Sequence, residues 1–133
     1  MVISLVGVVP NMTASAYTSG DYEYNILDDG DIFSMKWIRI TGYNGSTPNL
    51  SIPSTIAGID VTGIEDYAFC GCTNITNVKI PNKVVYIGNG AFKGCEDLTN
   101  VKIPNSVLYI GYSAFFATNL TSIAIPNSVE YIC

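Results

Sequence analysis

The amino-acid sequence predicts a β-rich solenoid with repeats of about 23 residues and an N-terminal β cap. The first observation is a duplication: KIPNKVVYIGNGAF at residues 79–92 returns as KIPNSVLYIGYSAF at residues 102–115. The second is that Val101 and Ile103 alternate with Lys102, which is the period of a β-strand. The third is that Pro and Gly recur too often for a helix of three turns.

The segment at residues 1–16 has the composition of a secretory signal peptide. The apolar run MVISLVGVV is too short to span a bilayer, and Ala14-Ser15-Ala16 matches the small-residue pattern of a cleavage site. We therefore predict that residues 1–16 are a signal peptide cut after Ala16. No Lys or Arg precedes the apolar run, the first Lys being Lys36, which indicates that the usual basic start is truncated. A buried N-terminal strand is the alternative.

Residues 17–50 are predicted to form the β cap. FSMKWIRI, at residues 33–40, has strand composition and lies between two turn sequences, DDG at residues 28–30 and YNGS at residues 43–46. A calcium loop is the alternative for the first turn, but the later ligands of such a loop are missing. A solvated hairpin turn is the interpretation we favour. The carboxylates concerned are those of Asp28, Asp29 and Asp31.

Residues 51–133 are predicted to carry the repeats. Ala-Phe pairs at residues 68–69, 91–92 and 114–115 recur at one fixed spacing, and the later Ile-Pro pairs keep that spacing until one residue is lost near Thr118. A single repeat is too small to bury its own apolar face. Repeats stacked end to end bury a continuous core, so the spacing predicts a solenoid.

Each repeat should contain two short extended stretches. In the repeat with Pro104, that proline ends the first strand, because it cannot donate to a ladder. A second stretch follows at Val107 and Ile110, and Gly111 is expected to let the chain turn. The Ala-Phe pair then packs inward, and three phenylalanines should form an internal aromatic column: Phe69, Phe92 and Phe115.

The repeat resembles a known family. The spacing L-x-x-V-x-I at residues 98–103 is the leucine-rich-repeat core, L-x-x-L-x-L, in β-branched form. Its continuation, IPNSVxxIGxxAFxxC, resembles the BspA-like leucine-rich repeats of surface proteins, and the resemblance covers about residues 50–133. It implies a β-rich leucine-rich-repeat solenoid and a protein that binds other cells or extracellular proteins. The preceding segment is similar to the cap that often opens such arrays.

The last residue departs from the family pattern. Cys133 occupies the position filled by Gly88 and Gly111, and no polar cap follows it. A solenoid with an uncovered apolar end is prone to association. We expect the natural protein to continue with more repeats; pairing of this end with another chain is the alternative.

Two cysteines share one repeat position. Cys72 and Cys95 should lie on adjacent turns of the solenoid, roughly 5 Å apart by strand spacing. That distance is compatible with a disulfide. A buried structural thiol is the interpretation we favour, because side chains on stacked turns point parallel and Thr118 fills the same position in the next repeat. Cys70 and Cys72 have the wrong spacing for a zinc pair.

Two columns of repeated outward positions are the candidate ligand-binding residues. The first is a predicted exposed tyrosine ladder of Tyr86, Tyr109 and Tyr131, and tyrosine is favoured at interfaces. The alternative is that the tyrosines only shield the sheet. The second column is Lys79 and Lys102, beside Thr76 and Thr99. Lysines on adjacent turns repel, which is more typical of a solubilising surface than of a site.

Composition excludes several function classes. The 133 residues are 48% hydrophobic and 13% charged, which is typical of one folded domain. The absence of His excludes His-dependent triads and His-ligated metal sites. Six Lys and Arg residues at a net charge of −5 argue against nucleic-acid binding. We predict no catalytic residues, no metal site, no cofactor and no transmembrane segment.

The function that these patterns favour is non-catalytic recognition by a secreted or cell-surface protein. The resemblance implies adhesion, with extracellular proteins of a host or neighbouring cell, or glycans, as partners. A carbohydrate-recognition or spacer module of a longer exported multi-domain enzyme is the alternative, and a purely structural repeat is a third possibility.

Overall fold

The computed structural model describes residues 16–30 and 34–133. The predicted signal peptide therefore lies outside the described residues, except for Ala16, which begins the first strand. Asp31 and Phe33 are outside them as well. The described residues contain eleven strands and no helix, as the recurrence of Pro and Gly predicts. The strands are β1 (Ala16–Ser19), β2 (Tyr22–Asp28), β3 (Lys36–Tyr43), β4 (Asn49–Ser51), β5 (Thr55–Ile56), β6 (Ile59–Ile64), β7 (Asn77–Lys79), β8 (Tyr86–Ile87), β9 (Asn100–Lys102), β10 (Tyr109–Ile110) and β11 (Tyr131–Ile132).

The strands form two sheets that run along the solenoid. The eight-stranded sheet has the order β1-β2-β3-β6-β8-β10-β11, with β5 paired to β6. The three-stranded sheet has the order β4-β7-β9. Within the repeats, the chain passes from a strand of the three-stranded sheet to one of the eight-stranded sheet and then to the Ala-Phe turn. This path is followed about four times, with parallel pairing between successive turns. The predicted solenoid of about 23-residue repeats is confirmed.

The N-terminal strands extend the eight-stranded sheet. β1, β2 and β3 pair antiparallel, and β3 then pairs parallel with β6, so the hairpins continue the ladder of the repeats. At the predicted first turn, the Asp28 carboxylate accepts a hydrogen bond of 3.1 Å from the Gly30 amide, and Gly30 has a left-handed φ of 75°. The predicted strand at residues 33–40 begins at Lys36 and continues to Tyr43. That residues 17–50 act as a cap stays a prediction.

The core lies between the two sheets. The turn with β7 and β8 and the turn with β9 and β10 each contribute one buried residue from the three-stranded sheet, Val78 or Val101, and one from the eight-stranded sheet, Ile87 or Ile110. This is the strand alternation that the sequence shows at Val101. The core therefore repeats with the period of the chain, and neighbouring turns bury each other's apolar edges.

The predicted phenylalanine column is confirmed and is longer than expected. The rings of Phe69 and Phe92 stack with centroids 5.0 Å apart, and those of Phe92 and Phe115 stack at 5.5 Å. Tyr43 of β3 extends the column, with its centroid 5.4 Å from that of Phe69. The repeat spacing could not predict this contact, because Tyr43 precedes the repeats.

The role expected for Gly111 is corrected by the structure. Neither Gly88 nor Gly111 has a left-handed φ, so neither is needed to turn the chain. Each instead touches the preceding turn of the solenoid. A Cβ on Gly111 would lie 2.5 Å from the Asn89 backbone nitrogen, and one on Gly88 would lie 2.5 Å from that of Asp66. Glycine is required here because two backbones approach closely.

Candidate interaction surfaces

The three predicted tyrosines form one column on the outward face of the eight-stranded sheet. Tyr86, Tyr109 and Tyr131 are register partners in β8, β10 and β11. The rings of Tyr86 and Tyr109 stack in parallel with centroids 5.0 Å apart. The predicted exposure is wrong for these two, which are half-buried because each ring covers its neighbour. Tyr131 is 63% exposed.

Arg39 of β3 extends this column beyond the repeats. Its guanidinium lies over the ring of Tyr86, 5.0 Å from the centroid, and donates a 2.9 Å hydrogen bond to the Glu65 carboxylate. Gly63 of β6 lies between Arg39 and Tyr86 in the register. A Cβ on Gly63 would meet the Arg39 side chain at 3.2 Å, so the glycine leaves the space through which the arginine reaches the ring. No pattern in the sequence singles out Arg39, because β3 lacks the repeat.

The Tyr86 hydroxyl is held by the turn beside it. It donates a 3.1 Å hydrogen bond to Asp66 Oδ1. Asp66 also accepts hydrogen bonds from the Asn89 backbone amide, at 2.7 Å, and from the Asn89 side chain, at 3.0 Å. The Asn89 side chain holds the pKa of Asp66 below its usual value, and burial, with the nearby Asp66 charge, raises the pKa of Tyr86 to about 12. Tyr86 therefore remains a neutral hydrogen-bond donor at physiological pH.

Exposed apolar side chains border the tyrosine column. Val85 and Leu108 immediately precede Tyr86 and Tyr109 in the chain, and both are exposed. Towards the N-terminal hairpins, Val85 also borders a shallow depression with charged and apolar walls. Its lining includes Met35, Trp37, Arg39, Asp60 and Thr62. We call the whole outward surface of β3, β6, β8, β10 and β11 the tyrosine face.

The predicted lysine and threonine column lies on the other sheet. Lys79 and Lys102 are register partners in β7 and β9 of the three-stranded sheet, and both side chains are exposed. The predicted candidates therefore form two separate surfaces and not one site. We call the outward surface of β4, β7 and β9 the lysine face.

The two threonines beside the lysines use their hydroxyls inside the protein. Thr76 donates a 3.0 Å hydrogen bond to the Pro48 carbonyl, and Thr99 donates one of 3.2 Å to the Thr76 carbonyl. These hydrogen bonds link successive turns of the solenoid. Because both hydroxyl groups already donate a hydrogen bond within the protein, neither threonine is free to donate one to a ligand on the lysine face.

The cysteines are free thiols. Cys95 is fully buried, and its thiol donates a 3.1 Å hydrogen bond to the Phe69 carbonyl. Burial raises the pKa of Cys95 to about 12 and also raises that of half-buried Cys72. Cys95 is thus the buried thiol that we favoured, whereas Cys72 is only half-buried, and no disulfide joins the two.

The described residues contain no cluster of three or more His, Cys, Asp or Glu side chains that could hold a metal ion. No buried charged side chain occurs in residues 16–30 or 34–133. Within the same part of the chain, no helix is long and apolar enough to cross a membrane.

Comparison with known proteins identifies the repeat. The family model described as the BspA type leucine rich repeat region matches residues 62–133 in six copies. No curated protein matches the chain.

Three solved structures are similar to most of the chain. The T. pallidum leucine rich repeat protein is 30% identical with a TM-score of 0.76, and the match covers 86% of this chain and 52% of the T. pallidum chain. A leucine-rich repeat protein from Bacteroides capillosus ATCC 29799 is 32% identical with a TM-score of 0.76, covering 88% and 86% respectively. A leucine-rich repeat protein from Bacteroides ovatus ATCC 8483 is 26% identical with a TM-score of 0.63, and the match covers 85% of this chain and 36% of that protein.

The chain thus spans about half the length of the T. pallidum protein, which has 52% of its own length covered. The family model matches more than half of the residues, and the match reaches from β6 to the last strand. The chain belongs to the BspA-type leucine-rich-repeat family.

Proposed function

We propose that this protein is a non-catalytic recognition module of a secreted or cell-surface protein and that its tyrosine face binds a protein partner. The observation that carries the proposal is the column of Arg39, Tyr86, Tyr109 and Tyr131, which come from four of the five strands that the column crosses. Arginine and tyrosine are enriched in the centres of protein interfaces and among the residues that dominate binding energy. The exposed apolar side chains of Val85 and Leu108 add contact area beside them.

The rigidity of the column supports the same function. The rings of Tyr86 and Tyr109 are stacked, the Tyr86 hydroxyl is hydrogen bonded, and Arg39 is held by Glu65. Side chains that are ordered before binding lose less conformational entropy when a partner docks. The tyrosine face is therefore organised for recognition without rearrangement.

Adhesion to extracellular proteins of a host or a neighbouring cell is the role we propose for this recognition. It is supported by the family and by the signal-peptide pattern at residues 1–16. The competing proposal is a carbohydrate-recognition or spacer module of a longer exported enzyme. The two differ in whether the tyrosine face has a protein ligand.

The test is binding of the purified chain to a panel of immobilised extracellular matrix proteins and polysaccharides. We expect saturable binding to a matrix protein and a loss of about thirtyfold in affinity for Tyr109→Ala. Tyr112→Ala is the matched control, because Tyr112 belongs to the same repeat, is 70% exposed and lies outside β10. Equal affinity of Tyr109→Ala and the unchanged protein, with circular dichroism showing both folded, would disprove the role of the tyrosine face.

A further inference from the structure

The lysine face carries positive charge on an otherwise acidic protein. The chain has eleven acidic residues and a net charge of −5, but none of the acids lies in β4, β7 or β9. None lies in the Ile-Pro-Asn segments that follow β7 and β9 either. The acids are Asp21, Glu23, Asp28, Asp29, Asp31, Asp60, Glu65, Asp66, Glu96, Asp97 and Glu130.

The two lysines of this face have no carboxylate partner within the described residues. The ion pairs found there join Arg39 to Glu65 and Lys83 to Asp60. Lys79 and Lys102 are direct register partners on neighbouring strands, which lie about 4.7–4.9 Å apart. Like charges in this arrangement destabilise a sheet. An anionic ligand that contacts both lysines would relieve the repulsion.

The rest of the lysine face is uniformly polar. Its outward positions form two rows that cross the three strands. One row consists of the register partners Asn49, Asn77 and Asn100, and the other of Ser51, Lys79 and Lys102. The Asn77 side chain donates a 2.7 Å hydrogen bond to Asn49 Oδ1. No aromatic or aliphatic side chain points outward from these three strands. Protein interfaces have an apolar centre, so the lysine face is a poorer match to a peptide than to a polyhydroxylated chain.

Shallow depressions beside the lysines repeat with the solenoid. Lys79 borders one that includes Pro81 and Asn82, and Lys102 borders the next, which includes Pro104 and Asn105. Another depression lies between Lys102 and Pro126 of the following turn. A ligand that crosses the strands would thus meet a similar set of groups at each turn.

We propose that the lysine face binds a linear anionic polysaccharide that lies across the strands, with Lys79 and Lys102 contacting successive carboxylate or sulfate groups. Asn77 already donates both N–H groups of its side chain, to Asn49 Oδ1 and to Thr76 Oγ1, so the donors that the asparagine row offers to sugar hydroxyls are the side-chain amides of Asn49 and Asn100. This proposal does not depend on protein binding by the tyrosine face, because the two faces share no residue. It gives the carbohydrate alternative a definite ligand chemistry and a definite surface.

The test measures binding of the full chain to heparin as the sulfated probe and to polygalacturonate as the carboxylated probe. Neutral dextran and polyglutamate serve as comparison ligands. We expect binding to one or both anionic polysaccharides that weakens as NaCl is raised. We expect the double variant Lys79→Gln/Lys102→Gln to lose about tenfold or more in affinity.

The matched control is Lys36→Gln/Lys93→Gln, which changes the net charge equally but leaves the lysine face intact. It should bind as the unchanged protein does, and so should Tyr109→Ala. Equal losses in both lysine double variants would overturn the proposal, since they would indicate binding through net charge alone. Failure to bind either anionic polysaccharide would also overturn it, and so would a preference for polyglutamate, which would indicate a peptide ligand.

Discussion

Left-handed backbone recurs at two fixed positions in each repeat. One is occupied by Tyr67, Gly90 and Ser113, and the other by Gly71, Gly94 and Ala117, with φ between 54° and 73°. This conformation costs an L-residue about 1–2 kcal/mol, whereas glycine adopts it freely. Single residues thus store strain at positions where the neighbouring repeat has glycine.

Ala117→Gly should therefore stabilise the protein. Release of the left-handed strain outweighs the extra chain entropy of glycine, for a net gain of about 0.5–1 kcal/mol in the free energy of unfolding. Chemical denaturation measures this gain. Ala124→Gly is the control, because Ala124 has no left-handed φ and should lose about 0.5–1 kcal/mol. Destabilisation by both changes would mean that Ala117 is unstrained.

Asp66 should make stability depend on pH. Its pKa is lower in the folded protein than the usual 3.8, chiefly through the Asn89 side chain. The contribution of the ionised group is therefore fully present above pH 3.8, and it is lost as the pH falls through the lower folded pKa. The difference in unfolding free energy between the unchanged protein and Asp66→Asn should shrink over that range. A difference that is constant with pH would assign the effect to hydrogen-bond geometry alone.

At the scale of the elements, close stacking of the solenoid turns depends on Gly88 and Gly111. Each follows a strand of the eight-stranded sheet, and its amide donates a 2.8 Å hydrogen bond to the preceding turn. Cys133 has the same position after β11, and its amide hydrogen bond to Ile110 is longer, at 3.2 Å. The comparison is consistent with a Cβ holding the two backbones further apart.

Gly111→Ala should cost about 1–3 kcal/mol of unfolding free energy, because its Cβ would press on the backbone of residues 88–89. Thermal and urea denaturation measure the loss. Gly71→Ala is the contrast: its φ is left-handed, but a Cβ there meets nothing within 4 Å, so we expect only about 0.5–1 kcal/mol. If the losses were equal, close approach would not be what selects glycine at position 111.

At the scale of the whole molecule, β3 joins the N-terminal hairpins to the repeats. Tyr43 continues the phenylalanine column, Arg39 continues the tyrosine column, and Ile40 is a register partner of Ile64 in the core. The chain should therefore unfold as one cooperative unit and not as a hairpin region followed by repeats.

Phe92→Ala tests this cooperativity. Removal of the central ring of the column should cost about 3–5 kcal/mol. Trp37, the one tryptophan of the chain, lies in β3 and reports on the N-terminal region. Its fluorescence transition and the far-UV circular dichroism transition should shift together in urea. A fluorescence midpoint that stays in place while the circular dichroism midpoint moves would show that the two regions unfold independently.

The sequence alone was enough to predict the repeat length, the strand alternation, the inward phenylalanine column and the family. These follow from spacing: a position that recurs once per repeat must lie at the same place in each turn of a stacked chain. For the same reason, the repeat alone was enough to align Tyr86 with Tyr109 and Lys79 with Lys102.

The folded structure was needed to show which sheet each column occupies and which residues border it. Lys102 and Tyr109 belong to the same repeat, yet the chain changes sheets between them, so their columns form two separate faces. The contacts of Arg39 and Tyr43 could not be predicted from the sequence either, because both residues come from a strand without the repeat pattern. The period of the repeat predicts which residues are neighbours along the solenoid axis. Contacts around each turn depend instead on where the chain bends and on which strands pair with the edge of the sheet.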